Sequence, residues 1–494
     1  MKKYFKYISI ATVITLVISS CSDSYLDVNT DPNNPTSVDP ELVLPVALNF
    51  TARGHYASGG NLGIARNANT FGNMMMCNWS QADGFSWYYD EFNYLMSSNF
   101  YGSIFNYPYL NTLKQLTVLS DLGENYDNYE AISKIMIAYT FQGIVDGYGD
   151  VPYFDALQRG GNPTPAYDDD EVIYEDLLVK LDEAIAQIKQ ASPEAIVPST
   201  ESDIMFGGNM TSWIQFANTI KLRILVRQSG VKDISSGIQS IVNEGSGFIT
   251  SDVSINPGYV NEEGKQNPFY ASFGLTVSGE TQNNGQATCA SEYVIDYLST
   301  TNDPRISRIY EEPSSGHLGV VQGLLDYPVD DSLEPQFVSN LGPGILYDAS
   351  QDALVMTVAE SLFLQAEAAL SFGQLGDPKT LYESAIEASF ATLGASNPAN
   401  YYNQAIQNVG WDASPNKVEA IITQKWVALN GTNGYESWIE YNRTGFPSGL
   451  PIPLFNSHSD RPTRLSYPAS EVTGNTQNIP DQPDEFSSKP FWGN

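Results

Sequence analysis

The stretch 354–393 constrains the fold more than any other part of the chain. Apolar residues fall at Val355, Val358, Leu362, Ala366 and Ala369, steps of three and four that align them on one helical face. A break over Phe372–Pro378, holding Gly373 and Gly376 and closed by the proline, ends that helix. A second helix follows through Leu381, Ala385 and Ala388. Small side chains recur where the two helices would cross, as close packing of their axes requires. A helical pair of roughly 34 residues has the scale of a tetratricopeptide repeat. In a single copy, an ordinary helical hairpin would read the same way.

Comparable helices recur along the chain. In Asp170–Lys189 the stripe is Ile173, Leu177, Leu181, Ile185 and Ile188, and the acidic run Asp168–Asp170 suits the positive end of the helix dipole. In Trp213–Arg227 it is Trp213, Phe216, Ile220 and Ile224, with Lys221, Arg223 and Arg227 near the far end. In Ser414–Leu429 it is Val418, Ile421, Ile422, Lys425, Trp426 and Leu429, where the aliphatic stem of Lys425 can lie along the apolar face. A further helix covers Tyr129–Val145. The expected fold is mainly α: a tetratricopeptide-like scaffold of helical pairs with long irregular loops, which in a compact protein are usually functional. Three segments poor in helical pattern supply those loops. Asn67–Pro108 is dense in aromatics and amides, Phe248–Ala290 is rich in Asn, Gly and Ser, and Pro447–Asn494 is rich in Pro, Ser and Asn.

The N-terminus addresses location. Lys2, Lys3 and Lys6 precede an apolar run from Ile8 to Ile18, too short to span a bilayer. It ends in Ile18-Ser19-Ser20-Cys21, the pattern of a lipobox cleaved before a lipid-carrying Cys21. Several acyl chains on Cys21 would anchor the protein firmly, since each buried CH₂ contributes about 0.8 kcal/mol. We therefore divide the chain into a signal peptide (1–20), a lipidated N-terminus and tether (21–38) and one continuous domain (39–494). With residues 1–20 removed, 21 basic against 57 acidic residues leave a formal charge of −36. Such a surface repels phosphate backbones and argues against nucleic-acid binding.

The chemistry of catalysis and metal binding is sparse. Once Cys21 carries lipid, Cys77 and Cys289 remain, able to pair in an oxidising compartment but too few for a disulfide scaffold. His55, His317 and His458 do not stand at ligand spacing. Asp27-Val28-Asn29-Thr30-Asp31 opens like a calcium loop, but Pro32 stands where that loop needs glycine and Val38 where it needs a bidentate Glu. No nucleophile elbow, zinc-protease motif or phosphate-binding glycine loop is present. The sequence thus implies no enzyme, no metal and no cofactor.

Several fragments, in order along the chain, resemble the SusD/RagB-like nutrient-binding lipoproteins of the outer membrane. They are Tyr25-Leu26-Asp27-Val28-Asn29-Thr30-Asp31-Pro32, Tyr148-Gly149-Asp150-Val151-Pro152-Tyr153, Trp213–Arg227, Asn302-Asp303-Pro304-Arg305, Gln424-Lys425-Trp426-Val427-Ala428-Leu429, and Glu436-Ser437-Trp438 with Tyr441-Asn442-Arg443-Thr444-Gly445-Phe446-Pro447. The resemblance implies about four tetratricopeptide-like pairs, ligand-binding loops opposite them, and a partner, a SusC-like TonB-dependent transporter on which the lipoprotein sits as a lid. It implies capture of oligosaccharide at the cell exterior by a non-enzymatic protein held to the outer membrane through lipid. Capture of oligopeptides with the same partner, and a scaffold for other surface proteins, are the alternatives.

The expected ligand site lies in the aromatic segment, at Asn78, Trp79, Gln81, Asp83, Trp87, Tyr88 and Tyr89. Sugar C–H faces pack on aromatic rings, and sugar hydroxyls need the paired donors and acceptors that Asn, Gln and Asp supply. A second polar segment, Glu280–Gln286, offers Gln282, Asn283 and Asn284 to the same pocket. Asp146, Asp150, Arg443, Trp426 and Trp438 are expected to hold the fold, through a buried Arg–Asp pair and packed indoles.

Overall fold

Short polar side chains set where most of the helices begin. The computed structural model describes residues 39–57, 64–158, 161–324 and 331–493; Cys21, the signal peptide and the tether lie outside them. Asp39 accepts from the Glu41 amide to start α1 (Pro40–Tyr56), and Asn67 accepts from Thr70 to start α2 (Ala68–Met75). α3 spans Asp127–Tyr148. α4 (Asp170–Gln190) is capped by Asp169, which takes the Glu171 and Val172 amides, so the acidic run does sit at a helix start. Asn209 caps α5 (Met210–Arg227), and left-handed Gly245 ends α6 (Ser235–Glu244). The short α7 (Pro268–Phe273) and α8 (Asn283–Ala287) precede α9 (Glu292–Thr300), which is capped by Ser291. Thr357, Asp377, Asn416 and Asn433 cap α10 (Val358–Phe372), α11 (Pro378–Leu393), α12 (Lys417–Leu429) and α13 (Gly434–Thr444).

These helices pair as the periodicity requires. α3 packs on α4, α5 on α6, α10 on α11 and α12 on α13, while α4–α5, α5–α10 and α10–α12 contacts join the pairs into a stack. The apolar stripe of α5 (Trp213, Phe216, Ile220, Ile224) is fully buried. Two short antiparallel ribbons complete the described structure, β1 (Trp79–Gln81) with β3 (Thr288–Ala290) and β2 (Val253–Ile255) with β4 (Ala353–Met356). Val355, assigned to a helix from its spacing, lies in β4, and the helix starts only after the Thr357 cap. Asn67–Pro108 likewise contains α2, whose residues are almost all buried because it lies against α13. Gly72 makes that contact possible: a Cβ there would lie 2.0 Å from the Gly434 carbonyl carbon.

The two cysteines do not pair. Both thiols are free and buried, and Cys77 Sγ lies 3.3 Å from both Gln322 Oε1 and Arg461 Nη2. The two indoles are packed as expected, Trp426 donating to Met76 O (3.1 Å) and Trp438 to Pro462 O (2.9 Å). A buried Arg–Asp pair is present, and its arginine is Arg227 and not Arg443. Arg443 binds Glu367 (2.7 Å) and Glu440, whereas Asp146 faces Arg227 at 3.5 Å and accepts from the Tyr174 hydroxyl.

Those groups belong to a larger buried network. Arg227, completely inaccessible, also meets Glu436 (2.6 Å) and Glu440; Lys425 meets Glu436 (2.9 Å) and Glu440 (3.4 Å); Arg223 meets Glu360 (3.1 Å). Burial pushes the Asp146 carboxyl up to about 6 against the pull of Arg227. Burial also opposes ionisation of Glu440, but Arg443, Lys425 and Arg227 together hold it well below the usual carboxylate range.

The Asp146 shift has a definite sign in stability. The folded state holds a proton on this group between its ordinary range near 4 and about 6. Its contribution is therefore present below about pH 4 and lost as pH rises to about 6. Asp146→Asn keeps the neutral form at every pH. Its stability relative to the native sequence should rise through that interval and level off above it, as read from urea unfolding at stepped pH.

Candidate functional site

The β1–β3 ribbon brings the two polar and aromatic segments of the sequence together. Its register pairs Trp79 with Ala290, Ser80 with Cys289 and Gln81 with Thr288. Beyond it the Ala82 amide donates to Ala287 O (2.9 Å) and the Asp83 amide to Leu333 O (2.9 Å), which adds the 331–347 segment. Between these three loops lies a pocket of about 860 Å³. Phe85, Tyr270 and Tyr347 give it aromatic surface, and Asp83, Gln286, Asn340, Glu311 and Glu334 give it polar atoms. Its volume falls in the range of sites that enclose small ligands.

The floor is built by packing that leaves no slack. Gly285 on α8 meets α7 so closely that a Cβ would lie 2.0 Å from Phe273 O. Phe273 lines the pocket and is backed by Trp79 at 5.5 Å, with Phe269 stacked on the same indole at 6.3 Å. Gln81 shapes the loop that carries Phe85. Its Oε1 accepts from the Trp87 (2.7 Å) and Tyr88 (3.0 Å) amides, and its Nε2 donates to Phe85 O.

The structure distributes the sequence-predicted residues among different tasks. Asp83 lines the pocket. Asn78, Trp79 and Tyr88 have no solvent exposure; they fill the core behind it, Tyr88 hydroxyl lying 2.7 Å from Thr288 Oγ1 and Asn78 donating to Asn73 Oδ1. Gln81 is buried and spent on its own loop. Trp87 is half-buried and meets Phe85 edge-on at 5.7 Å, one layer away from the pocket wall. Tyr89 is 52% exposed at the start of a short helical turn and does not line the pocket. Asn284 is buried, accepting from the Ala65 amide and donating to Ser272 O. Gln282 and exposed Asn283 stand at the start of α8, next to the lining residue Thr281 but outside the lining. Sequence reasoning missed Tyr270, Tyr347, Phe85 and the 311–341 residues. Tyr270 lay inside a segment already marked as a ligand loop, whereas nothing in the sequence around Tyr347 separates it from an ordinary surface tyrosine.

Two other hollows compare poorly. A groove of about 770 Å³ between Tyr109, Leu110, Pro152 and Glu471 takes Phe105 and Asn106 from the first predicted loop segment and Ser470 and Glu471 from the third, but none of the predicted ligand-binding residues. A cavity of about 110 Å³ lies beside the ion network, lined by His55, Asp146, Arg223 and Glu436, and is too small for a saccharide. Asp150, Asp169 and Asp170 place carboxylate oxygens within 4.8 Å of one another. Each already accepts a backbone amide: Asp150 from Asp170, Asp169 from Glu171 and Asp170 from Phe491. No helix among the described residues is long and apolar enough to cross a membrane.

A stack of helical pairs that carries a mixed aromatic and polar pocket on inserted loops is the architecture of a binding protein. The chain belongs to the SusD-like family described as starch-binding and associating with the outer membrane, whose sequence model matches residues 33–468. Solved structures share the fold. A chitin-binding SusD homolog from Flavobacterium johnsoniae superposes with a TM-score of 0.75 at 23% identity, covering 92% of this chain and 98% of its own. SusD homologs from Bacteroides uniformis (TM-score 0.70, 23% identity, 92% and 99% coverage) and Bacteroides vulgatus (0.73, 21%, 90% and 97%) do likewise. No curated protein matches the chain.

Burial separates the two kinds of aromatic by experiment. Trp79→Ala, which empties a fully enclosed indole site, should cost about 3–5 kcal/mol. Tyr347→Ala, at a side chain 58% exposed, should stay within about 0.5 kcal/mol of the native stability. Thermal and urea unfolding of the two variants checks both values.

Proposed function

We propose that the protein captures oligosaccharide at the cell exterior and passes it to a SusC-like TonB-dependent transporter, without altering it chemically. The pocket carries this reading. It joins aromatic faces from two separate loops, half-buried Phe85 and exposed Tyr347, to neutral amides on Gln286, Gln336 and Asn340 within one hollow of about 860 Å³. Sugar rings offer C–H faces for the former and hydroxyls for the latter. Family membership supports both the glycan class and the outer-membrane setting. Lipid on Cys21 supplies the attachment in this reading, and the helical stack supplies a rigid body that can dock on a transporter while the loops hold the ligand.

Calorimetric titration of the chain from Ser22 onward with a panel of neutral oligosaccharides tests the ligand class. We expect binding of one glycan class with no product in the cell after incubation. Tyr347→Ala and Phe85→Ala should each weaken it by about 0.5–1.5 kcal/mol, roughly threefold to tenfold. Binding of mixed peptides alone would move the assignment to oligopeptide capture, and silence across both panels would favour a protein-interaction scaffold.

The anchor is tested separately. Cys21→Ser should shift the protein from the membrane fraction to the soluble fraction, because no helix among the described residues is long and apolar enough to cross a membrane. Retention of the variant in washed membranes would show that the anchor lies elsewhere.

A further inference from the structure

The pocket has a neighbour. A smaller hollow of about 220 Å³ adjoins it, and Tyr347 lines both. Other walls are divided between the two hollows in the same way. From α7, Phe269 lines the smaller one, while Tyr270 and Phe273 line the larger; from the loop before Tyr347, Ile345 lines the smaller and Leu346 the larger. Tyr347 thus stands as a partition, and its backbone is held in place. Gln351, itself buried, accepts the Tyr347 (2.9 Å) and Asp348 (3.2 Å) amides on Oε1 and donates from Nε2 to Ile345 O (3.0 Å). Asn267, which caps α7, donates to Gln351 O (2.9 Å). The loop is tied to α7 while the Tyr347 ring stays exposed.

The smaller hollow is a blind recess. Its exposed lining residues, Tyr347 and Asp352, mark the mouth, whereas Tyr56, Phe269, Ile345, Ala353 and Thr432 are buried and close the bottom. The β2–β4 ribbon gives one wall the cross-strand pair Ser254 and Leu354. The volume corresponds to about seven waters, the scale of one pyranose ring with its substituents. A fixed acceptor lines this space. Asp252 takes the Val358 amide at the start of α10 (2.8 Å) on Oδ1 and the Thr392 hydroxyl near the end of α11 (2.6 Å) on Oδ2. Both bonds orient the carboxylate, and each oxygen keeps capacity for a further donor. An internal residue of a polymer needs an exit on both sides, which an open groove provides and a recess with one mouth does not.

We infer that the recess is a subsite for the terminal sugar residue of the captured oligosaccharide, so that the protein recognises chain ends and not internal stretches. This rests on the glycan-capture reading of the adjoining pocket. The terminal ring fills the recess and gives two hydroxyls to the Asp252 carboxylate as charge-assisted hydrogen bonds. The next residues cross the Tyr347 face and continue along the larger pocket toward Phe85.

The test modifies the ends of the ligand. Maltohexaose and chitohexaose, and then whichever other neutral oligosaccharide of the panel binds, are titrated into the full-length lipoprotein in a neutral detergent that carries no sugar. Each is used unmodified, with the reducing-end ring opened by borohydride, and with the opposite end blocked as a 4,6-ethylidene acetal. We expect one modification to weaken binding at least about tenfold and the other to leave it within about twofold, which also identifies the end that enters the recess. Ser254→Tyr, which fills the recess from β2, should weaken the unmodified ligand about tenfold and abolish the difference between the free and blocked ends, because one contact is lost only once. The comparison of the three ligand forms does not require that variant to fold. Equal binding of the three forms, equal loss from both modifications, or a difference that persists in folded Ser254→Tyr overturns the terminal subsite and leaves glycan capture in the larger pocket standing. No binding of any oligosaccharide in the panel overturns both.

Discussion

The fold depends on bringing four cations and five carboxylates into one largely buried junction. Arg223, Arg227, Lys425 and Arg443 meet Asp146, Glu360, Glu367, Glu436 and Glu440 where α3, α5, α10, α12 and α13 come together. Such a cluster gains little over an apolar core of the same shape, because desolvation offsets most of the attraction. Its effect is to penalise alternatives. Sliding any one of these helices by a turn would leave a charge buried without its partner, at a cost of about 3–5 kcal/mol. The apolar faces of the helical pairs would tolerate several registers; the ions tolerate one. Five carboxylates against four cations leave a formal excess of one negative charge, and burial raises both the Asp146 and the Glu360 carboxyls above their ordinary range.

From this junction the structure passes rigidity to the pocket through polar contacts that are themselves enclosed. Tyr310 donates its hydroxyl to Asn78 O (2.7 Å), and Gln322 donates to both Met74 O (2.7 Å) and Trp79 O (2.6 Å). These bonds fix the turn between α2 and β1, in which Cys77 adopts a left-handed backbone (φ 53°). The ribbon then holds the loops that line the pocket. Phe85 and Tyr347 thus stand on irregular chain, but chain whose roots are tied into the core. That arrangement suits a site that must hold a ligand in a set geometry without the support of a helix or sheet.

Much of the scaffold was legible because its helices announce themselves twice, by periodicity and by caps. Asp169, Asn209, Asp377 and Asn416 all cap where the hydrophobic stripes begin. What stayed hidden were features that break the polar-outside rule. Lys221, Arg223 and Arg227 lie near the far end of a helix, where cations are commonly solvated, and are buried. α13, with the sequence Gly-Tyr-Glu-Ser-Trp-Ile-Glu-Tyr-Asn-Arg-Thr, carries no clean apolar stripe, because its inward face holds Glu436 and Glu440. The pocket was legible by region and not by residue. Trp79, Ser80 and Gln81 are all buried, so the strand shows no alternation from which to tell an inward ring from an outward one. The ring most open to ligand, Tyr347, comes from a loop more than 250 positions away that no local pattern links to the first.

The core accepts buried carboxylates in two ways. Glu436, Glu440 and Glu360 come with Arg227, Lys425 and Arg223, whereas Asp203, equally enclosed, is held by the Met205, Phe206 and Gly208 amides and the Trp213 indole N–H. The pocket differs from both because it is open to solvent: Tyr347 is 58% exposed, and Asp83, Glu311 and Glu334 reach it from three loops. Polar groups that keep water as a partner cost little in the free protein and stay available to the hydroxyls of a ligand. Ring faces and solvated polar atoms in one hollow thus suit a ligand that presents both C–H faces and hydroxyls, which neither the enclosed ion network nor the apolar core behind Trp79 could accept.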